Sequence, residues 1–157
     1  MIQSNVLVDN LVALLREIPE LLALVHNDID RIYAYHDQYP KNVSLVHAVH
    51  AMPAPSLMVV WQGVSPGSMS SMDVWRHQVV IYIRSRDADL SESPGYCQMF
   101  RAIVRGVPAS SGLPLVNTTV HPSCYPMDLP SIQRQTDAEG LDYFEMPLTF
   151  TEIGDDG

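Results

Sequence analysis

The residues of this chain best able to bind a metal or move a proton are its six histidines and two cysteines, and their spacing limits the chemistry on offer. His47 and His50 stand three apart, so on a helix both imidazoles would face one way, and His121 with Cys124 repeats the interval. Together they would make a mixed four-ligand zinc set. Pro122 interrupts the second pair, however, and neither spacing is diagnostic of a zinc site. These histidines therefore read as surface or interface residues. His77 sits at an inward position of an alternating stretch, where an imidazole could serve as a base only with a nucleophile or acid beside it. No such neighbour can be located from the sequence, so His77 reads as a hydrogen-bonded core or interface histidine. Ser68, Ser70 and Ser71 lack the strand-to-helix elbow of a hydrolase, and the loop around Gly63 and Gly67 lacks the lysine of a phosphate loop. Asp28 with Asp30, and Asp87 with Asp89, offer oxygens to a hard cation but read more simply as solvated turns. Tyr33, Tyr35 and Tyr39 could stack on a base, yet no cations accompany them to hold phosphates, and the rim of a core or an interface suits them better. The expectation is no catalytic residue, no cofactor and no metal.

The elements that would position these side chains are legible from periodicity. Leu7, Leu11, Leu14, Leu15 and Ile18 recur on one helical face, with Ser4 or Asn5 as cap; Pro19 then interrupts, and Glu20 to Val25 form a short second helix that Asn27 can end. Asn27 to Asp30 reads as a turn, Arg31 to Tyr35 as a short strand, and Val43 to Met52 as a helix. Ser56 to Val64, SLMVVWQGV, is an apolar run suited to a central strand buried on both faces. In WRHQVVIYIRSR, Trp75 to Arg86, the parity separates Trp75, Val79, Ile81 and Ile83 from Arg76, Gln78 and Arg84, the pattern of a half-buried strand. Between the two strands, residues 65–73 (SPGSMSSMD) read as an extended hairpin loop. Ser93 and Pro94 open a helix whose apolar face is Tyr96, Met99, Phe100, Ile103, Val104 and Val107, and which Gly106 and Pro108 stop; Cys97 within it reads as a small core residue. Residues 109–139 are an irregular crossing rich in proline, with a strand expected at Leu115 to Val120. Leu141 to Ile153 closes the chain as a strand in which Pro147, unable to donate to a ladder, marks an edge or a bulge.

Composition narrows the classes. A chain of 157 residues fits one domain with a sizeable core. A net charge of −9, with seven acids and no base from Asp137 onward, argues against a surface that grips nucleic acid and against sequence-specific nucleic-acid binding. Charged residues are only 17% of the whole, which favours a subunit with buried contacts. The start MIQSNVLVDN lacks a basic region followed by an apolar run, so no signal peptide is expected, and no window is apolar enough for a membrane span. The expected fold is a single α+β domain over 1–157, a small mixed, mainly antiparallel sheet with helices packed on one face.

The order of elements, carried by Ile32 to Tyr35, PSLMVVWQG at Pro55 to Gly63, HQVVIYIRS at His77 to Ser85, the Pro94 to Val107 helix, and YFEMPLTFTEIG at Tyr143 to Gly154, resembles the tail terminator and tail-completion proteins of tailed bacteriophages. The resemblance spans nearly the whole chain and rests on hydrophobic patterns in order. It implies a non-enzymatic virion protein, assembled in the host cytoplasm, forming a ring, commonly a hexamer, at the head-proximal end of the tail. There it stops tube growth and offers a surface to the head connector. Its partners would be further copies of itself, the tail-tube protein and the head-tail connector protein. The candidate contacts are Ser68, Met69, Ser70, Ser71 and Met72 in the loop and Pro147 on the closing strand. Two alternatives stand beside it: a neck connector or tail-tube subunit, and a small α+β ligand-binding or enzyme domain using His77 or the His47 and His50 pair.

Overall fold

Pro19 and the leucines before it decide how the chain begins. A computed structural model describes residues 3–38, 43–67, 74–84, 95–105, 124–126, 131–136, 140 and 142–153. In it helix α1 spans Ser4–Arg16 and α2 spans Pro19–Leu24, with the proline in the first turn of α2, where its missing N–H is no loss. Gln3, and not Ser4 or Asn5, stands at the N-cap of α1, and its side chain makes no capping bond. Asn27 ends the second helix as expected: its N–H reaches the Leu22 carbonyl at 2.8 Å, and its φ of 57° is a left-handed conformation that asparagine tolerates.

Asp28 then accepts a hydrogen bond from the Asp30 N–H, opening a 3₁₀ turn at Ile29–Arg31 and confirming these acids as turn residues. Strand β1, Ile32–Ala34, follows, and the short helix α3, Tyr35–Gln38, takes over at Tyr35, so the first strand is shorter than its sequence suggests. Helix α4, Leu45–His50, is capped by the Ser44 hydroxyl, which accepts from the His47 N–H.

The remaining elements are β2 (Ser56–Pro66), β3 (Val74–Arg84), α5 (Gly95–Arg105), β4 (Cys124–Pro126), β5 (Gln133–Thr136) and β6 (Asp142–Ile153). The sheet runs β1-β2-β3-β6-β4, with β5 also paired to β6. Among the described residues only β1 with β2 is parallel, so the sheet is mixed and mainly antiparallel, in agreement with the sequence.

Register and burial then define the two faces. On one, Leu57, Ile83 and Phe144 stand abreast, as do Val59, Ile81 and Met146, and against them pack Leu7, Leu11 and Leu15 of α1, Leu21 of α2, and Met99 and Ile103 of α5. Each fully buried aliphatic or aromatic side chain here contributes about 1.5–3 kcal/mol relative to exposure. The opposite face carries Tyr33, Met58, Val60, Val80 and Tyr82 under Ala48, Val49 and Met52. Helices α1, α2 and α5 therefore share one face, but α4 and the turn after it cover part of the other. Arg84 joins that packing by donating from Nη1 to the His50 carbonyl at 3.1 Å, a cation at the C-terminal end of α4.

Because of α4, the half-buried reading of β3 holds only for its first half: Arg76 and Gln78 are exposed, whereas all of Val79 to Arg84 is buried. The closing strand also differs from a simple edge. β6 lies between β3 on one side and two short strands on the other, β5 against Asp142–Glu145 and β4 against Phe150–Glu152. Among the described residues, Met146 to Thr149 has no strand on that outer side. Pro147, exposed and opposite Val80, falls in this gap, so its missing donor is accommodated by a local edge. The expected strand at Leu115 to Val120, the Ser93 and Pro94 helix start and the loop residues Ser68 to Met72 lie outside the described residues.

Candidate functional site

At the end of the sheet nearest the β2–β3 hairpin, three strands bring three side chains together. Trp61 of β2 is opposite Val79, two residues from His77; Glu152 of β6 is opposite Trp75, two residues from His77 on the other side. Both are thus diagonal neighbours of His77 on the same face, within reach for long and aromatic side chains. The pairing register shifts between Trp61 and Gly63, which moves Val64 opposite His77. The result is a chain of two hydrogen bonds: Trp61 Nε1 donates to His77 Nδ1 at 3.1 Å, and His77 Nε2 meets Glu152 Oε1 at 3.0 Å. His77 is 1% exposed and Glu152 5%.

The proton positions follow from chemistry. An indole N–H can only donate, so Nδ1 of His77 must accept and carries no proton. The neutral ring then has its hydrogen on Nε2, pointed at the Glu152 carboxylate, which satisfies a buried donor and a buried acceptor at once. A histidine oriented by a carboxylate is half of a general-base arrangement. The other half would be a nucleophile on Nδ1, and that nitrogen is taken by Trp61. The geometry therefore supports a relay that ties three strands together, in keeping with a hydrogen-bonded core histidine.

Trp61 also forms part of the wall of a cavity of about 180 Å³ shared with Ser4, Asn5, Tyr35, His36, Val59 and Val60. Beside it, His36 Nε2 lies 3.0 Å from Asp9 Oδ1 and 3.2 Å from Asp37 Oδ1. These three ligand atoms are mutually within 4.8 Å, close enough to share a cation, and all three residues are exposed. As it stands the cluster is an exposed polar contact between α1 and α3, of the kind that contributes little to stability.

On the opposite face Gln62 Nε2 donates to the Tyr82 hydroxyl at 2.9 Å, and the Tyr82 and Tyr143 rings lie 6.0 Å apart. Burial, and after it the nearby Glu145 and Tyr143, push the Tyr82 hydroxyl up to about 12. The Gln62 hydrogen bond acts the other way by favouring the phenolate.

Of the sequence candidates, His47 and His50 lie on α4, with His47 exposed; His121 falls outside the described residues, as does the side chain of Cys124. Tyr33 is buried in the core of the second face and the Tyr35 hydroxyl donates to the Val43 carbonyl, which places both in core and rim roles. Tyr39 and the pair Asp87 and Asp89 are outside the described residues. Sequence reasoning missed Trp61 and Glu152 as partners of His77, and missed the Asp9, His36 and Asp37 cluster. Parity places His77 on the inward face of β3, but its meeting with Trp61 and Glu152 depends on a strand register that no local pattern encodes. Compared with models of known protein families and with curated proteins, the chain matches none.

Proposed function

We propose that this protein is a structural virion assembly protein, a tail terminator subunit that forms a ring at the head-proximal end of a bacteriophage tail tube, ends tube growth and provides the head-joining surface. The observation that carries the reading is the order of elements: β1, the long antiparallel β2–β3 pair, helix α5 and a closing strand that returns beside β3. These fall on the segments that bear the resemblance. Two further features support it. The one buried histidine dyad among the described residues is engaged in tying strands together. A net charge of −9 lets DNA pass without adhering. The partners in this reading are further copies of the chain, the tail-tube protein and the connector, with no enzymatic step.

Light scattering and electron microscopy of the purified protein, alone and mixed with tail tubes lacking their upper end, test it. A closed ring that caps the tubes is the expected result. A strict monomer that binds neither tubes nor heads would overturn the proposal, and binding to DNA-filled heads alone would reassign the protein to the neck connector.

A further inference from the structure

Trp61 belongs at once to the buried relay and to the cavity wall. We propose that His77 is a proton-operated latch on Trp61: the neutral ring holds the indole across β2 and β3, and the protonated ring releases it toward the cavity.

The step is a simple protonation. A proton from solvent takes the Nδ1 lone pair that accepts the Trp61 N–H, while the hydrogen on Nε2 stays with Glu152. The histidine becomes an imidazolium paired with the Glu152 carboxylate, and two N–H donors then face each other where one hydrogen bond stood. The indole has space to answer, because the cavity of about 180 Å³ lies against it.

Among the described residues, the charged groups around His77 leave Glu152 as its acidic partner. β2 carries no charged residue anywhere along Ser56–Pro66, and the β6 acids Asp142 and Glu145 lie at the far end of that strand. On β3 itself Arg76 is exposed and Arg84 projects to the opposite face. Helix α1 presents the uncharged Ser4 and Asn5 at the cavity, its Asp9 is bonded to His36, and its Arg16 donates to the Ile32 carbonyl. Arg101 of α5 is exposed. The competing titratable group is His36, which lines the same cavity.

Nitrogen NMR of the full chain labelled in its histidines and tryptophans, followed from pH 8 to pH 4, tests the latch, with the Trp61 indole signal assigned by Trp61→Phe. At pH 8 His77 should show hydrogen on Nε2 and a bare Nδ1. On acidification the Trp61 indole N–H signal should move with the same midpoint as His77. That movement should persist in His36→Gln and vanish in His77→Gln. The proposal is overturned if Nδ1 carries the hydrogen at pH 8, if His77 titrates while the Trp61 signal stays still, or if His77 remains neutral until the protein unfolds. It is equally overturned if the movement is lost in His36→Gln. Should His77→Gln fail to fold, the co-titration in the unmodified chain decides alone.

Discussion

His77 and Glu152 lie 75 positions apart in the chain and meet at 3.0 Å between Nε2 and Oε1, both buried. That contact joins the middle strand of the sheet to its closing strand. It also commits the histidine to one tautomer, because the Trp61 indole occupies the other nitrogen.

Removing the acid should therefore be costly. Glu152→Ala leaves the Nε2–H of His77 buried without its acceptor, and a loss of about 1–3 kcal/mol is expected in urea unfolding. Glu152→Gln retains an oxygen in place and should lose less. Equal stabilities for the wild type and the alanine variant would show that the pair contributes nothing.

Core packing makes a sharper contrast. Ile81 is fully buried on β3 between Val59 and Met146, and Ile81→Ala should destabilise by about 2–5 kcal/mol through lost burial and the cavity left behind. Val46 on α4 is 76% exposed, and Val46→Ser should stay within about 0.5 kcal/mol of the wild type. Chemical denaturation of both variants checks the assignment of inside and outside.

Tyr82 sets an alkaline dependence. With its hydroxyl raised from 10.0 to about 12, the folded chain keeps a proton that the unfolded chain has lost between those values. Its contribution is fully present below pH 10 and is lost as pH rises through 12. Urea midpoints of the wild type and Tyr82→Phe should differ by a constant amount from pH 8 to pH 9.5, then shift in favour of the variant up to pH 12. A difference that stays constant across the whole range would remove Tyr82 from the account.

Assembly tests the stretch between β2 and β3. Deleting Ser68 to Ser71 should leave the circular dichroism spectrum and urea midpoint close to wild type while weakening the ring seen by light scattering. An unfolded product would place those residues in the core and end their role as contacts.

Much of the fold is legible before any coordinates. The leucine spacing from Leu7 to Leu15 marks α1, Pro19 marks the break, and the alternation Val79, Ile81, Ile83 fixes one face of β3. The burial of the other face of β3 is not legible, since it depends on where α4 docks: Ala48, Val49 and Met52 pack on that face, and Arg84 reaches the His50 carbonyl across 34 positions. The edge behaviour of Pro147 was half visible: the missing donor was certain, but the two short strands flanking the gap are irregular in sequence and carry no strong alternation.

By itself, the sequence determined the main elements α1, α2, β2, β3, α5 and β6 and the acidic, weakly charged character of the chain, because periodicity and backbone preference are local properties; the short α3, β4 and β5 carry no such periodicity. Tertiary structure alone decided which inward residues touch. The shift in pairing between Trp61 and Gly63, and the register that sets Glu152 beside Trp75, place an indole and a carboxylate on the two nitrogens of one histidine. Slipping either strand by one residue would turn its side chains to the opposite face and dissolve the relay, and that choice of register is made by the packed core as a whole.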